Sequence, residues 1–372
     1  MHTRSRIPLL RKGVDRREFL KAAGALGLGF TMMPMMHRPA RAEGEATYFT
    51  WGGYDIPELQ TKYKAKYGAD PQFATYGDTE EGLQKMLAGF VPDVMHPCSG
   101  EVPRWKNAGV LQPIDTSKLS NYEKLLPELK NLPAANIDGQ VWMVPWEWGF
   151  TSITYRTDLV KLPNGEESWE ILWDEANKGK IAVIGSADDS WWVGAIYAGV
   201  PFDTVATDDA AYQKVNDLLK KQRPLIRLYT SNNTEQQQAL ASGEIVAAMT
   251  WADAATNLLK EGVPVKFAQP KEGTLTWVCG LVLNKSAPNL DKAYALIDGM
   301  LDPEIGKYCI DNFGYGHSNP ASYEGVDQAQ LAALGMDKGP EETLKGGHFY
   351  IPQPDSFSEK LYKDWEQIKG GL

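Results

Sequence analysis

The sequence predicts an α/β protein of two lobes, each a mostly parallel sheet flanked by helices. Short apolar runs typical of strands alternate with amphipathic helical segments from residue 46 onward, as in a parallel sheet with both faces covered. The chain has 372 residues, and the 330 that follow its first 42 exceed what one hydrophobic core holds comfortably. We therefore expect two cores joined by short crossing segments.

The first 42 residues have the pattern of an export signal. Arg16-Arg17 opens an Arg-Arg-x-Phe-Leu-Lys core, an apolar run follows from Ala22 to Met36, and Ala40-Arg41-Ala42 gives the small-x-small pattern of a cleavage site. The core resembles a twin-arginine signal, the class that carries folded cargo across the membrane. The apolar run is shorter than the about 20 residues that a permanent span requires. The sequence thus predicts a signal peptide over 1–42 and a soluble, exported mature chain.

The expected mature chain is acidic. Nine of the 38 basic and two of the 48 acidic residues lie in the first 42, so the remaining 330 residues carry a formal net charge of −17. Such a chain repels nucleic-acid phosphates and anionic lipid surfaces. We therefore expect no nucleic-acid partner, whereas an acidic surface attracts cationic ligands or simply keeps an exported protein dissolved.

The mature chain begins with strands and helices in alternation. Apolar residues at spacings of two or four define them, and glycine ends the first helix. The expected elements are a strand at 46–50, a helix from about Pro57 to Gly68, a strand at 73–76, a helix at 79–89 and a strand at 91–95; further strands are expected at 180–184 and 245–250, each followed by a helix.

Residues directly after these strands are the candidate ligand contacts. In open α/β sheets, ligands bind beyond the carboxyl ends of the strands. The segments in that position are Trp51 to Tyr54, Pro97 to Glu101 (which includes Ser99), Ser186 to Trp192 and Trp251 to Asp253.

Aromatic residues are the distinctive feature of the chain. It has 12 tryptophans, several of them at strand ends or in tight clusters. Indole faces attract cations and grip alkyl chains, and a nearby carboxylate pairs with an ammonium group. Glu147, Asp188, Asp189 and Asp253 all lie close in sequence to tryptophans. This pattern predicts a site for an alkylammonium ligand, although tryptophans also fill cores.

No strong catalytic or metal-binding signature is present. The sequence has no Gly-x-Ser-x-Gly, no phosphate-binding Gly-rich Lys loop and no His-Glu-x-x-His. We therefore expect no metal and no cofactor. An exported hydrolase that uses Glu147, Asp189 or Cys279 is the competing class of protein. A ferric-binding carrier is a weaker alternative, because it would need tyrosines clustered at the site.

The mature chain has three cysteines, Cys98, Cys279 and Cys309. An oxidising compartment allows one disulfide and one free thiol, and an absence of disulfides is equally compatible with the sequence.

Several short segments together resemble the periplasmic spermidine/putrescine-binding proteins, the substrate-binding components of polyamine-type ABC transporters. Their order and spacing extend over nearly all of the mature chain. They are Tyr48 to Tyr54, Leu111 to Leu119, Trp148-Gly149, Gly243-Glu244, Met249 to Trp251, Pro270 to Gly273 and Phe313 to Tyr315. The sequence is also similar to relatives of this family that take up γ-aminobutyrate and other ω-amino acids.

The resemblance implies a type II periplasmic binding fold, in which the ligand is trapped in a cleft between the lobes by hinge closure. Residues 43–148 and 252–297 would form lobe 1, and residues 149–251 and 298–372 would form lobe 2. The implied ligand residues are Trp51 and Tyr54 as ring and hydroxyl, Asp189 as an acidic partner for an amine, Trp251 with Asp253 as cleft tryptophan and salt-bridging aspartate, and Trp277 as an aromatic of the last crossing segment.

The departures from the family pattern affect the choice of ligand. Cys279 and Ser186 stand where the family has acidic residues, and Gly100 stands where it has a tyrosine. Fewer carboxylates predict fewer ammonium groups on the ligand. Arg227 follows Pro224 in a strand-like run and would hold a ligand carboxylate if it faced the cleft, whereas on the surface it would form a salt bridge.

The sequence therefore predicts a periplasmic, monomeric solute-binding protein, not an enzyme, that delivers a small amine-bearing ligand to the permease subunits of an ABC importer. Polyamines such as putrescine and spermidine, and ω-amino acids such as γ-aminobutyrate, fit this prediction about equally. A quaternary amine such as choline or betaine is the alternative, because aromatic cages suit it.

Overall fold

The computed structural model describes residues 44–230 and 232–371. The predicted twin-arginine signal peptide at 1–42 lies outside these residues. Within them, no helix is both long and apolar enough to cross a membrane.

Strands and helices alternate along the chain. The strands are β1 Thr47–Trp51, β2 Gln72–Tyr76, β3 Val94–Met95, β4 Leu111–Gln112, β5 Asn136–Ile137, β6 Gln140–Val141, β7 Val144–Arg156, β8 Ile181–Val183, β9 Ile226–Tyr229, β10 Ala247–Thr250, β11 Val265–Phe267, β12 Thr274–Asn284, β13 Gly316–His317 and β14 Gly347–Phe349. The α-helices are α1 Thr61–Tyr67, α2 Thr79–Leu87, α3 Val102–Asn107, α4 Pro127–Lys130, α5 Ala187–Ala198, α6 Asp209–Gln222, α7 Asn233–Ser242, α8 Ala252–Lys260, α9 Leu290–Met300, α10 Pro303–Phe313, α11 Gln328–Ala333, α12 Pro340–Lys345 and α13 Asp355–Gly370. Short 3-10 segments, such as Pro57–Gln60 and Trp169–Leu172, connect them.

One path of paired strands runs β2-β1-β3-β12-β7-β10-β8-β9. Both ends of the path are parallel: β1 pairs with β2 and β3, and β8 pairs with β9 and β10. In the middle, β7 and β12 pair antiparallel. The long strand β12 continues to β3 on one side, and β7 continues to β10 on the other. The crossing segments between the two parallel halves are therefore β7 and β12.

Each half has its own buried core. One cluster contains Tyr48, Tyr63 and Trp146. Another contains Trp169 and Trp191. A further cluster of buried residues, which includes Trp148, Phe267 and Ile310, lies near the crossing strands. Separate cores fit the expectation of two lobes, while the lobe boundaries predicted above stay a prediction.

Local chemistry explains where the first elements begin and end. The helix expected from Pro57 to Gly68 is a 3-10 turn followed by α1, and Gly68 ends α1 in the left-handed region with φ 80°. The strand expected at 91–95 is confined to β3, because Pro92 has no N–H to donate to a ladder. The Asp78 side chain caps α2 by accepting from the Glu81 N–H.

The C-terminal helix α13 packs back on the second half of the fold. Trp365 Nε1 and Lys369 Nζ both donate to the carbonyl of Gly185, at 2.8 and 3.0 Å. The Tyr362 hydroxyl donates to Asp188 Oδ1 at 3.0 Å. The last helix therefore holds the turn between β8 and α5.

Gly149 on β7 leaves space for the Trp277 ring of β12. It pairs with Trp277 in the ladder, and a Cβ at position 149 would lie 2.8 Å from Cη2 of that ring and closer still to Cζ2. We expect Gly149→Ala to displace the Trp277 ring and lower the free energy of unfolding by about 1–3 kcal/mol, as overpacking does. Urea unfolding measures this change. Gly370→Ala is the control, because a Cβ there meets nothing within 4 Å; equal stability of the two variants would contradict the prediction.

Candidate functional site

Two acidic residues lie at neighbouring helix starts. Asp189 is in the first turn of α5, which follows β8, and Asp253 is in the first turn of α8, which follows β10. Since β8 and β10 are parallel neighbours, their carboxyl ends lie at the same edge of the sheet. Trp251 stands between β10 and α8, directly before the helix that carries Asp253. The predicted residues Asp189, Trp251 and Asp253 therefore lie together.

The Asp253 carboxylate is held by neutral donors. Asn233 Nδ2 donates to its oxygens at 2.9 and 2.7 Å, and the Tyr315 hydroxyl donates to Oδ1 at 2.9 Å. Burial raises the pKa of Asp253, and these donors offset only part of the rise. In the described residues, no lysine or arginine forms an ion pair with this carboxylate.

Asp189 has a similar environment. The Thr151 and Ser186 hydroxyls donate to its two oxygens at 2.8 and 2.9 Å. Burial raises the pKa of Asp189, while hydrogen bonds from Thr151, Ser186 and Trp251 lower it in part. Ser186 thus orients a carboxylate in the present chain.

Aromatic rings extend from these carboxylates toward the first half of the fold. The Trp277 and Tyr315 rings are nearly perpendicular, with centroids 4.9 Å apart. Phe313 lies 6.1 Å from Tyr315 and 5.4 Å from Tyr54. We call Tyr54, Phe313, Tyr315 and Trp277 the aromatic wall. Tyr54 and Trp277 were predicted from the sequence; the other two were missed as site residues, although the quoted segment Phe313 to Tyr315 contained them.

A buried acid–histidine pair lies behind Tyr54. Glu147 is 1% exposed and His96 is fully buried. His96 Nε2 lies 3.3 Å from Glu147 Oε1, while His96 Nδ1 lies 2.9 Å from Thr50 Oγ1 and 3.1 Å from the Tyr48 hydroxyl. Glu147 Oε2 has no hydrogen-bond partner among the described residues. The sequence suggests Glu147 as a carboxylate near tryptophans and as a candidate catalytic residue of a hydrolase, whereas its pairing with His96 was missed.

Cys98 and Cys279 form a disulfide, and the remaining cysteine of the described residues, Cys309, is a buried thiol. This settles the alternative that the sequence left open. It also corrects the interpretation of Cys279 as a nucleophile, because a disulfide sulfur has no thiolate to attack with. Ligand atoms of His96, Glu147 and Cys279 lie within 4.8 Å of one another, but the bonded sulfur does not fit a metal ligand.

The other predicted site residues differ in their surroundings. Trp51 is partly buried against Tyr76, with centroids 4.7 Å apart. Ser99 is 8% exposed, and its N–H donates to the carbonyl of Val278 on β12. Arg227 Nε donates to Glu244 Oε1 at 2.8 Å, and both side chains are about half exposed. A ligand contact by any of them stays a prediction.

Tyr350 occupies the space beside Gly100. A Cβ at Gly100 would lie 2.8 Å from Tyr350 Cδ1. The Tyr350 ring therefore covers the loop at Gly100, the position where the family pattern has a tyrosine.

Comparisons with known proteins cover most of the chain. Residues 58–335 match the family described as bacterial extracellular solute-binding protein. The spermidine/putrescine-binding periplasmic protein of Escherichia coli strain K12 is 28% identical over 361 residues, 95% of this chain and 98% of the relative. The putrescine-binding periplasmic protein PotF of the same strain is 29% identical over 340 residues, 87% of this chain and 90% of the relative. A structure of the spermidine/putrescine ABC transporter substrate-binding protein PotD from Streptococcus pneumoniae superposes with a TM-score of 0.75 at 24% identity, over 88% of this chain and 99% of that chain. The structural likeness confirms the predicted two-lobe fold.

Proposed function

The chain belongs to the family of bacterial extracellular solute-binding proteins, and from that premise we propose that it binds a small diamine or polyamine, such as putrescine, for an ABC importer. Asp189 and Asp253 supply the negative charge, and Trp251 with the aromatic wall contacts the alkyl chain. In this proposal the protein acts as a receptor and not as an enzyme.

The environment of the two carboxylates is the observation that carries this proposal. Burial raises the pKa of both Asp189 and Asp253, and their partners are hydroxyl, amide and indole groups rather than cations. The ionised forms of the two carboxylates are therefore unfavourable in the ligand-free protein. A cationic ligand stabilises them, because its ammonium group pairs with the ionised carboxylate. Ammonium N–H groups donate hydrogen bonds and a quaternary amine has none to donate, so the carboxylates favour putrescine over choline.

An ω-amino acid would need a cation for its carboxylate. Arg227 was the candidate, and its guanidinium is bound to Glu244 at the surface. The diamine is therefore preferred over γ-aminobutyrate.

Location and partners follow from the family. We infer that the signal at 1–42 directs the folded chain to the periplasm by the twin-arginine route. There the ligand-bound monomer would dock on the permease subunits of the importer. The names of the relatives, which include periplasmic putrescine-binding proteins, support this proposal.

Isothermal titration of residues 43–372 with putrescine, spermidine, γ-aminobutyrate and choline tests the ligand class. We expect putrescine or spermidine to bind at one site per chain, at least about tenfold tighter than choline, because only the primary ammonium forms charge-assisted hydrogen bonds. Stronger binding of γ-aminobutyrate would replace the diamine by an ω-amino acid. Binding of choline alone would contradict the assigned role of the carboxylates.

A further inference from the structure

We propose that Tyr350 closes one end of the ligand site, so that the protein selects a short diamine over a longer diamine of the same charge. The inference rests on the proposed function, and it adds a limit on the length of the ligand that the proposed function does not set.

The backbone places Tyr350 beside a residue of the aromatic wall. Strand β14 pairs in parallel with β12 as far as Phe349 and Thr276. One residue further on, the Tyr350 N–H donates to the Thr276 carbonyl at 3.3 Å. Tyr350 therefore stands at the edge of β12 next to Trp277, the residue that follows Thr276.

Trp277 lies on the face of the sheet that meets Asp189. Its ring covers Gly149 of β7. Thr151, two residues further along β7, donates its hydroxyl to the Asp189 carboxylate at 2.8 Å. Residues two apart on a strand point to one face, and paired residues of neighbouring strands share a face. Trp277, Thr151 and Asp189 are therefore on the same side of the crossing strands.

The Tyr350 ring bridges the two halves of the fold on that side. It meets Trp192 edge-on, with centroids 5.6 Å apart, and Trp192 lies one helical turn after Asp189 on α5. On the other side, the ring lies against Gly100 in the loop after β3, where a Cβ would come within 2.8 Å of Tyr350 Cδ1. The ring thus fills the space between this loop and the helix start that carries Asp189.

The Tyr350 ring also lies close to a carboxyl group that is neutral at pH 7. Glu101 follows Gly100 directly, and its Oε2 is buried without a hydrogen-bond partner among the described residues. Burial and, after it, the Asp188 charge raise the pKa of Glu101 to about 8. Burial, with the charges of Asp188 and Glu101, likewise raises the pKa of the Tyr350 hydroxyl. A carboxyl group that would ionise in contact with water or an ammonium is therefore kept neutral at this end of the site.

This packing limits how far a ligand extends. A diamine whose first ammonium pairs with Asp189 has room for its alkyl chain along the Trp277 ring. A longer chain extends toward Gly100 only if it displaces the Tyr350 ring from its contact with Trp192. Close-packed side chains resist such a displacement, because it forces strained rotamers and shifts of the backbone. The site therefore accommodates putrescine and excludes a diamine of much greater length.

The test compares putrescine with 1,8-diaminooctane, which has the same two ammonium groups and twice the number of carbons, by isothermal titration of residues 43–372. In the wild type we expect putrescine to bind at least about tenfold more tightly. In Tyr350→Ala, the affinity for 1,8-diaminooctane should rise by about 10- to 100-fold, since the vacated space buries additional methylene groups. The affinity for putrescine should not rise.

Two variants serve as controls. Tyr350→Phe keeps the ring and should keep the wild-type preference, because the closure is steric. Tyr67→Ala removes another partly buried ring, which packs on Tyr63 of α1 with centroids 4.9 Å apart, and should also leave the preference unchanged. A preference that relaxes in either control overturns the steric role of Tyr350.

The remaining outcomes separate this inference from the proposed function. A wild type that binds both diamines equally, or a Tyr350→Ala variant that keeps the wild-type preference, overturns the role of Tyr350 while the proposed function stands. A wild type that binds neither diamine overturns the proposed function and the inference with it. If Tyr350→Ala fails to fold by circular dichroism, Tyr350→Leu keeps an apolar contact with Trp192 and shortens the side chain; an unchanged preference in that variant overturns the inference.

Discussion

Asp253→Asn is expected to weaken putrescine binding by at least about 30-fold, as removal of one partner of a desolvated charge pair does. Asparagine keeps the shape of the side chain and can still bond Asn233 and Tyr315, so the lost quantity is the charge that faces the ammonium. Isothermal titration measures the effect. Asp209→Asn, at a side chain 93% exposed beside Lys360, is the control for charge removed at the surface.

The stability of the ligand-free Asp253 variant distinguishes a binding role from a structural one. Burial raises the pKa of Asp253 in the folded state, so its ionised form is less favourable there than in the unfolded chain. The contribution of the Asp253 carboxyl group to the free energy of unfolding is fully present at low pH. It is lost as the pH rises from the pKa of this group in the unfolded chain through its higher pKa in the folded chain. Asp253→Asn should therefore be at least as stable as the wild type at pH 7, with the difference shrinking in acid. A variant that both binds weakly and unfolds more easily at pH 7 would indicate that Asp253 serves the fold.

Removing the disulfide is the change with the largest expected effect on stability. Cys98 and Cys279 are 181 residues apart in sequence, so their bond closes a long loop in the unfolded chain. In the chain-entropy description, a loop of that length corresponds to about 5 kcal/mol, and measured losses are commonly about 2–5 kcal/mol. We expect Cys98→Ala/Cys279→Ala to lower the free energy of unfolding in urea by about 3–5 kcal/mol under non-reducing conditions.

Two controls isolate the cross-link from the loss of a buried side chain. Cys309→Ala removes a buried thiol that forms no disulfide, and should reduce stability by about 1 kcal/mol through its small cavity. Adding a reductant should bring the wild type close to the double variant and leave the double variant unchanged. A wild type that is insensitive to the reductant would show that the cross-link contributes little.

The sequence predicted the parts of the fold and site that depend on local pattern. Apolar periodicity predicted the strand that leads to Trp51. It also predicted the strand–helix units that position Asp189 and Asp253, since a strand followed by a helix is encoded in adjacent residues. The position just beyond a strand end then identified Trp251 and Asp253 as candidates.

Contacts between distant segments could not be read in this way. The Cys98–Cys279 bond and the His96–Glu147 pair both depend on which strands lie beside β12 and β7, and strand pairing is decided by the whole fold. Tyr315 reaches Asp253 from a segment 62 residues later in the chain. Arg227 shows the converse: its residue type suggested a carboxylate partner in a ligand, whereas the partner in the folded chain is Glu244.

The bonds from α13 to the Gly185 carbonyl bear on the order of events during synthesis. The turn that presents Asp189 is held by Trp365 and Lys369, which follow Gly185 by 180 and 184 residues in the chain. The early half of the chain can collapse while translation continues, as domains generally do. The turn before α5, however, acquires these bonds only after α13 has been added to the chain. A nascent chain that has not reached α13, or a chain truncated before it, would therefore lack the bonds that support the proposed site at Asp189.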